Sequence, residues 1–87
     1  MSKFTVQFLT RSQCPLCDGA RPLVMAEVAR YGGTVQDLDV DASDDLRNRF
    51  GHRVPVLITD DEEVIAEGRF ERRSLRRALR ILRRSRG

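Results

Sequence analysis

Two periodicities in the first third of the chain predict a strand followed by a helix. Phe4, Val6 and Phe8 alternate with polar residues, which is typical of a strand with one buried face. A polar loop then leads to a stretch, from Pro15 to about Tyr31, in which apolar residues recur every three or four positions. This spacing places them on one face of a helix, which Gly32-Gly33 should end. The residues on that face are Leu16, Ala20, Val24, Val28 and Tyr31.

The rest of the chain alternates short apolar runs with polar and turn-forming residues. Residues 34–40 predict a second strand, and Asp41 or Ser43 can cap a short helix over about 43–50. A proline lies near the start of a third strand over 54–58, and the acidic turn 60–63 leads into a fourth over 64–66, as in an antiparallel hairpin. After Gly68 the chain has the spacing of an amphipathic helix. The apolar residues of that helix are Leu75, Ala78, Leu79 and Leu82.

The predicted order of elements is therefore β-α-β-α-β-β-α. A βαβ opening followed by a hairpin and a closing helix predicts an α/β fold, with one four-stranded mixed sheet and helices on both of its faces. The chain has 87 residues and no internal repeat or linker, so we expect residues 1–87 to form a single domain.

The distribution of apolar residues argues against a membrane protein. No apolar run approaches the roughly 18 residues that a membrane span needs. Lys3 is followed at once by mixed sequence rather than by the apolar core of a signal peptide. We therefore expect a cytoplasmic protein that does not bind membranes.

The segment Cys14-Pro15-Leu16-Cys17 carries the candidate chemistry, between the first predicted strand and the N-terminus of the first helix. Cytosolic thiols are kept reduced, so two cysteines this close indicate redox catalysis or metal binding. A thiolate is the species that attacks a disulfide, and the unpaired N–H groups and dipole of the helix N-terminus favour it at Cys14. The spacing lets Cys17 reach back and resolve a mixed disulfide formed on Cys14.

Half of a zinc site is the alternative for the same pair. Structural zinc takes four ligands, and only Cys14, Cys17 and His52 offer the usual thiolate or imidazole groups. A dimer could complete a four-cysteine site, but the strand–motif–helix context favours redox use, and we expect no bound metal. Imidazole suits proton transfer, yet nothing in the sequence orients His52 toward the cysteines, so we expect it at the surface.

These residues resemble the thioredoxin superfamily, and its glutaredoxin-like members in particular. Cys14-Pro15-x-Cys17 is the glutaredoxin form of the motif, and Thr10-Arg11 stands where those proteins usually have Thr-Lys. Pro22 is placed like the kink proline in the active-site helix of thioredoxin. The segments 39–41 and 50–57 resemble thioredoxin's central strand and the approach to its cis-proline. The resemblance covers nearly the whole chain and implies a thioredoxin-like fold.

The resemblance also implies a reaction and the residues that perform it. The reaction is dithiol exchange with Cys14 and Cys17 as the catalytic pair, acting on disulfides of proteins or low-molecular-weight thiols. The resemblance implies that Val54-Pro55 is a cis peptide bond facing the cysteines, where the backbone of Val54 would receive an incoming peptide or thiol. No cofactor beyond the dithiol is expected, and a thiol or a thiol reductase would regenerate it.

Glutathione is a doubtful electron donor, because the chain departs from glutaredoxins where they hold that tripeptide. Arg11 and Arg53 are candidates to pair with a substrate carboxylate, with a solvated loop charge as the equal alternative for Arg53. However, the Gly-Gly or Thr-Asp element that glutaredoxins use after the fourth strand is replaced by Gly68-Arg69-Phe70-Glu71, with one glycine and no Asp. Gln13 also stands where ordinary thioredoxins have Trp. The sequence leaves the identity of the donor open.

Arginine dominates the closing helix. Residues 69–87 sum to a charge of +8 and residues 1–68 to −5, which together give the formal net charge of +3. We expect a solvated helix face, with docking of an acidic protein as the second interpretation. The segment has no recognised nucleic-acid motif and no stacking aromatic beyond Phe70, so nucleic acid is not expected. The helix arginines are Arg72, Arg73, Arg76, Arg77, Arg80, Arg83, Arg84 and Arg86.

This basic helix supports an alternative function. The chain would then be a non-catalytic binding module, redox-sensitive or metal-linked, that docks an acidic partner through the helix. Under either function we expect a monomer.

Overall fold

The computed structural model describes residues 2–86 and has the predicted order of elements. These are β1 (Phe4–Thr10), α1 (Pro15–Arg30), β2 (Gly33–Asp39), α2 (Asp44–Phe50), β3 (Val56–Thr59), β4 (Val64–Glu67) and α3 (Arg72–Arg86). A short 3-10 helix, Val40–Ala42, joins β2 to α2 and was not predicted. Within residues 2–86, none of the helices combines the length with the apolar composition that a membrane span requires.

The four strands form one mixed sheet in the order β2-β1-β3-β4. Strand β1 runs parallel to β2 and antiparallel to β3, and β3 forms an antiparallel hairpin with β4. The predicted fold class is confirmed.

Neighbouring residues of β1 pack into two different buried clusters, which explains why helices cover both faces of the sheet. Phe8 belongs to a cluster that includes Val24 of α1 and Leu79 of α3. Leu9 belongs to a second cluster that includes Phe50 of α2. Successive strand side chains point to opposite faces, so each face of β1 needs its own helical cover.

The ends of the helices follow their capping residues. Pro15 stands at the start of α1, which continues through Pro22 to Arg30. Gly32 then adopts a φ of 82°, a conformation that residues with a Cβ rarely take. Ser43, one of the two predicted caps, begins α2 by accepting a hydrogen bond from the N–H of Leu46 at 3.2 Å.

Strand β3 begins two residues later than predicted. The apolar run suggested a strand over 54–58, whereas the strand spans Val56–Thr59. The Val54–Pro55 bond is cis, and proline has no N–H to give to a strand ladder. Regular pairing therefore starts at Val56, opposite Leu9 of β1. This leaves residues 54–55 outside the ladder, at the end of the sheet where β1 also ends.

Candidate functional site

Cys14 is the N-cap of α1, and its sulfur accepts a hydrogen bond from the N–H of Cys17 at 3.2 Å. Gln13 before it has a φ of 57°, uncommon for a residue with a side chain, so the loop from β1 turns sharply into the helix. Pro15 takes the next position, where a missing N–H costs no helical hydrogen bond. The Cys14 sulfur thus lies at the positive end of the α1 dipole, which favours its thiolate form.

The two cysteines form a disulfide, with their Cα atoms 5.2 Å apart. Their exposure differs. Cys14 is half-buried, whereas the exposed fraction of Cys17 is 0%. An external thiol or disulfide can therefore approach Cys14, while Cys17 is shielded behind it.

Val54 and Pro55 lie at the same end of the sheet as the cysteine motif, because Leu9 pairs with Val56. The carbonyl of Pro55 accepts a hydrogen bond from the N–H of Gly68 at 2.8 Å. Among the described residues, no backbone hydrogen bond is made by the N–H or C=O of Val54. The cis bond implied by the resemblance is confirmed. The binding role of Val54 and Pro55 stays a prediction.

Arg11 makes several bonds within the protein. Its guanidinium donates to the two carboxylate oxygens of Asp41 at 2.9 and 3.0 Å and to the carbonyl of Gly51 at 3.1 Å. Hydrogen bonding from Arg11 holds the pKa of Asp41 below its usual value. These bonds tie the loop before the cysteines to the end of α2. A substrate carboxylate at Arg11 would have to displace Asp41.

Arg53, just before the cis bond, is also paired. It donates to both carboxylate oxygens of Glu67 at 2.8 and 3.0 Å, and its guanidinium carbon lies 5.2 Å from the centroid of the Phe50 ring. Hydrogen bonding from Arg53 lowers the pKa of Glu67. The charge of Arg53 is thus compensated in the free protein, and its role as a carboxylate ligand stays a prediction.

A groove of about 180 Å³ lies beside the cysteine motif, between the first turns of α1 and the segment that leads into α3. Pro15 and Leu16 line one wall, and Gly68, Arg69 and Phe70 line the other. Leu16 is 54% exposed. An exposed apolar side chain next to a reactive pair is a suitable contact for a substrate.

Glu27, which the sequence reasoning did not single out, is a buried carboxylate on α1. It is 2% exposed, and it accepts hydrogen bonds from Arg76 at 2.7 and 3.2 Å and from Arg72 at 2.5 Å. Hydrogen bonding to Arg76 lowers the pKa of Glu27 against the opposing effect of burial. The sequence does contain a sign of this buried carboxylate, because Glu27 stands next to Val28 on the apolar face of the predicted helix. A charge buried there requires a partner.

His52 is exposed, as predicted. Within residues 2–86, no three or more His, Cys, Asp or Glu side chains are grouped so that they could hold a metal ion. His52 therefore does not join Cys14 and Cys17 in one ligand cluster.

A family model described as "Glutaredoxin-like domain (DUF836)" matches residues 5–80 of the chain. The chain belongs to this glutaredoxin-like family. No curated protein matches it significantly.

Solved structures similar to this glutaredoxin-like protein share its fold. A Northeast Structural Genomics target protein from X. campestris is 29% identical with a TM-score of 0.71, and the match covers 87% of this chain and 96% of that one. Thioredoxin 1 from Thermosipho africanus is 17% identical with a TM-score of 0.69, over 95% of this chain and 99% of the other. A mutant thioredoxin from Halobacterium salinarum is 23% identical with a TM-score of 0.70, over 92% of this chain and 74% of the other.

Family membership and the Cys14–Cys17 pair together support a thiol redox function for the glutaredoxin-like protein. Thiols and disulfides are accordingly its general class of substrate.

Proposed function

We propose that this glutaredoxin-like protein reduces disulfides of proteins or low-molecular-weight thiols by dithiol exchange. Cys14 attacks the substrate and Cys17 resolves the intermediate. The difference in exposure between the two cysteines carries this assignment: Cys14 is half-buried at the start of α1, whereas Cys17 is 0% exposed. A substrate disulfide can meet Cys14 first, and Cys17 needs only to reach a sulfur that is already its neighbour.

Two displacements complete the reduction. The Cys14 thiolate attacks one sulfur of the substrate disulfide, an S–S bond forms between them, and the other substrate sulfur leaves as a thiolate that takes a proton from water. Cys17 then loses its proton to solvent and attacks the Cys14 sulfur, which forms the Cys14–Cys17 disulfide and releases the second substrate thiol. Two electrons pass to the substrate, and two molecules of a thiol, which leave as their disulfide, or one dithiol reductase return two electrons to the protein.

The backbone next to the cis bond supports a binding role in this reaction. The N–H and C=O of Val54 lack backbone partners within residues 2–86, so an extended substrate segment can pair with them. Pro55 is buried and holds Val54 at the start of β3, close to the end of β1. Because the cycle needs a supply of reduced thiols, we expect the protein to act in the cytoplasm.

Reduction of insulin by dithiothreitol tests the proposal. The wild-type protein should accelerate it, Cys14→Ser should leave only the uncatalysed rate, and Cys17→Ser should lose turnover while accumulating a mixed disulfide that mass spectrometry detects on Cys14. His52→Gln serves as the control with an exposed side chain changed, and it should keep the wild-type rate. Full activity of Cys14→Ser would refute the assignment. No acceleration by the wild type would favour the non-catalytic module instead.

A further inference from the structure

Helix α3 presents a row of four arginines on the side opposite its buried stripe. Leu75 and Leu79 are at most 1% exposed, whereas the four arginines are exposed. With 3.6 residues per turn, the four lie within roughly 60° of one another, and at 1.5 Å per residue the row is about 16 Å long. The arginine row consists of Arg73, Arg77, Arg80 and Arg84.

The arginine row lacks counter-ions of its own. Within residues 2–86, the ion pairs of α3 are those of Arg72 and Arg76 with Glu27, and none involves the row. Of the seven arginines before α3, five pair with acids, whereas Arg30 and Arg69 form no ion pair within residues 2–86. The five are Arg11, Arg21, Arg47, Arg49 and Arg53. An arginine-rich composition alone therefore does not explain why the row is unpaired.

The like-charge spacing of the row and the position of Arg73 disfavour the helix, whereas Arg84 lies in the last turn, where the helix dipole favours a cation. Arg73 and Arg77 are four residues apart, as are Arg80 and Arg84, and like charges at this spacing repel. Arg73 also lies in the first turn of α3, where the helix dipole disfavours a cation. A sequence that breaks local rules in this way is expected where the charge serves something outside the chain.

Arg69 brings positive charge from the start of α3 to the cysteine groove, with the exposed Glu71 between Arg69 and the helix. Arg69 lines the groove beside Pro15 and Leu16, three residues before α3 begins. A shallow depression lined by Arg73, Arg77 and Arg80, among others, follows along the helix. A partner that brings a disulfide to Cys14 and extends past Arg69 toward α3 would therefore meet the row. This arrangement favours a protein substrate over a nucleic acid or a membrane, and a second copy of the chain would bring arginines against arginines.

We propose that the arginine row and Arg69 dock an acidic segment of the substrate protein, so that disulfides flanked by Asp and Glu residues are reduced in preference to others. This inference rests on the proposed function and names its substrate class.

The kinetic test compares three disulfides. They are a peptide with a Cys-x-x-Cys disulfide next to a run of Glu, the same peptide with Gln in place of Glu, and bis(2-hydroxyethyl) disulfide. At low salt, the wild-type kcat/KM for the Glu peptide should exceed that for the Gln peptide by about tenfold. This preference should shrink as salt is added, because salt screens the charges. Equal kcat/KM values for the two peptides would overturn the inference.

Two variants locate the preference. Changing Arg73, Arg77, Arg80 and Arg84 together to Gln takes the formal net charge from +3 to −1, and Gln keeps a good helix propensity. This variant should lose most of the preference yet reduce bis(2-hydroxyethyl) disulfide at the wild-type rate. The matched variant with Lys at the same four positions keeps the charge and should keep the preference. If the four-Gln variant keeps the preference for the Glu peptide, the docking surface lies elsewhere and the role proposed for the arginine row is refuted.

Binding without chemistry separates this inference from the proposed function. Fluorescence anisotropy measures the binding of a labelled Glu peptide that has Ser in place of both Cys. The wild type should bind this peptide, and the four-Gln variant should bind it about tenfold more weakly. If the wild type binds this peptide but does not reduce bis(2-hydroxyethyl) disulfide, the reaction is wrong and the docking surface stands. Tighter, row-dependent binding of a DNA duplex or of phosphatidylglycerol vesicles would overturn the acidic-protein assignment.

Discussion

The guanidinium of Arg76 donates to the buried carboxylate of Glu27 at 2.7 Å and so joins α3 to α1. Helix α1 begins at the cysteine motif, and α3 carries the arginine row. Arg72 donates to the same carboxylate at 2.5 Å. Together with the apolar packing of Leu79 in the cluster that contains Val24, this acid and its two arginines fix the orientation of the basic helix relative to α1.

Glu27 should make the stability of the protein sensitive to acid. Hydrogen bonding to Arg76 lowers its pKa in the folded state, so its contribution to stability is complete above the unfolded value of about 4.3 and is lost as pH falls through the lowered folded value. We expect Glu27→Gln to have a lower Tm than wild type at pH 7. Between pH 7 and pH 3, the Tm of this variant should fall by less than the Tm of wild type. Thermal unfolding followed by circular dichroism measures both.

The matched control for Glu27 is Glu63→Gln, because Glu63 is exposed and makes no salt bridge within the described residues. Asp41, Glu62 and Glu67 also have lowered pKa values, so every variant should lose some stability in acid. An identical acid-induced loss of Tm in Glu27→Gln and wild type would contradict the prediction.

Phe8 should be among the most costly side chains to remove. It is 0% exposed, lies on β1 between α1 and α3, and meets the Phe70 ring edge-on at 6.0 Å between centroids. Phe8→Ala should lower the free energy of unfolding by about 3–5 kcal/mol, because it removes buried apolar area and leaves a cavity. Urea unfolding measures the loss. Val64→Ala, with a side chain 39% exposed, should cost much less.

Two glycines near the site should respond in opposite ways to alanine. A Cβ at Gly19 in α1 would meet nothing within 4 Å, so Gly19→Ala should raise the free energy of unfolding by about 0.5–1 kcal/mol. A Cβ at Gly51 would lie 2.5 Å from the carbonyl oxygen of Arg47, a backbone atom that cannot move aside easily. Gly51→Ala should therefore destabilise the protein. The same urea experiment checks both signs, and a stabilised Gly51→Ala would contradict the clash.

The order of elements was predictable because each long element has its own periodicity. The start of β3 was not, since an apolar run does not reveal where Pro55, which lacks an N–H, interrupts the ladder. The partners of the candidate arginines were also hidden. Asp41 lies 30 residues from Arg11, and Glu67 lies 14 residues from Arg53, so tertiary structure alone brings them together. Glu27 was visible in principle, as a charge on an apolar helical stripe.

Reduced Cys14 should react with iodoacetamide before Cys17. Cys14 is half-buried at the positive end of α1, whereas Cys17 is 0% exposed one turn inside the helix. Limited alkylation of the freshly reduced native protein, followed by peptide mass spectrometry, should find the label on Cys14. The same treatment in denaturant is the control and should label both cysteines to similar extents. Native labelling of Cys17 first would reverse the proposed roles.

Glutathione should be a poor reductant of the oxidised protein. It carries two carboxylates and an α-amine, and the two arginines predicted to receive a carboxylate are already paired, Arg11 with Asp41 and Arg53 with Glu67. Arg69, in the wall of the groove, would repel the amine. Leaving the α-amine without a partner at the site would cost roughly several kcal/mol of binding free energy, which is enough to remove useful affinity for glutathione. Rapid and saturable reduction at sub-millimolar glutathione would contradict this expectation.

Releasing Arg53 tests whether its pairing is what limits glutathione. Glu67→Gln removes the carboxylate that holds Arg53 and leaves a neutral amide, so a glutathione carboxylate no longer competes with a charged neighbour. We expect a lower KM for glutathione in this variant than in wild type, measured by following loss of the Cys14–Cys17 disulfide. Glu62→Gln is the matched control, because it frees Arg49 of α2 from one of the two acids that it pairs with and should leave the KM unchanged. An equal KM in Glu67→Gln and wild type would show that Arg53 does not contact glutathione, and the missing acceptor for the α-amine would then account for the weak reaction.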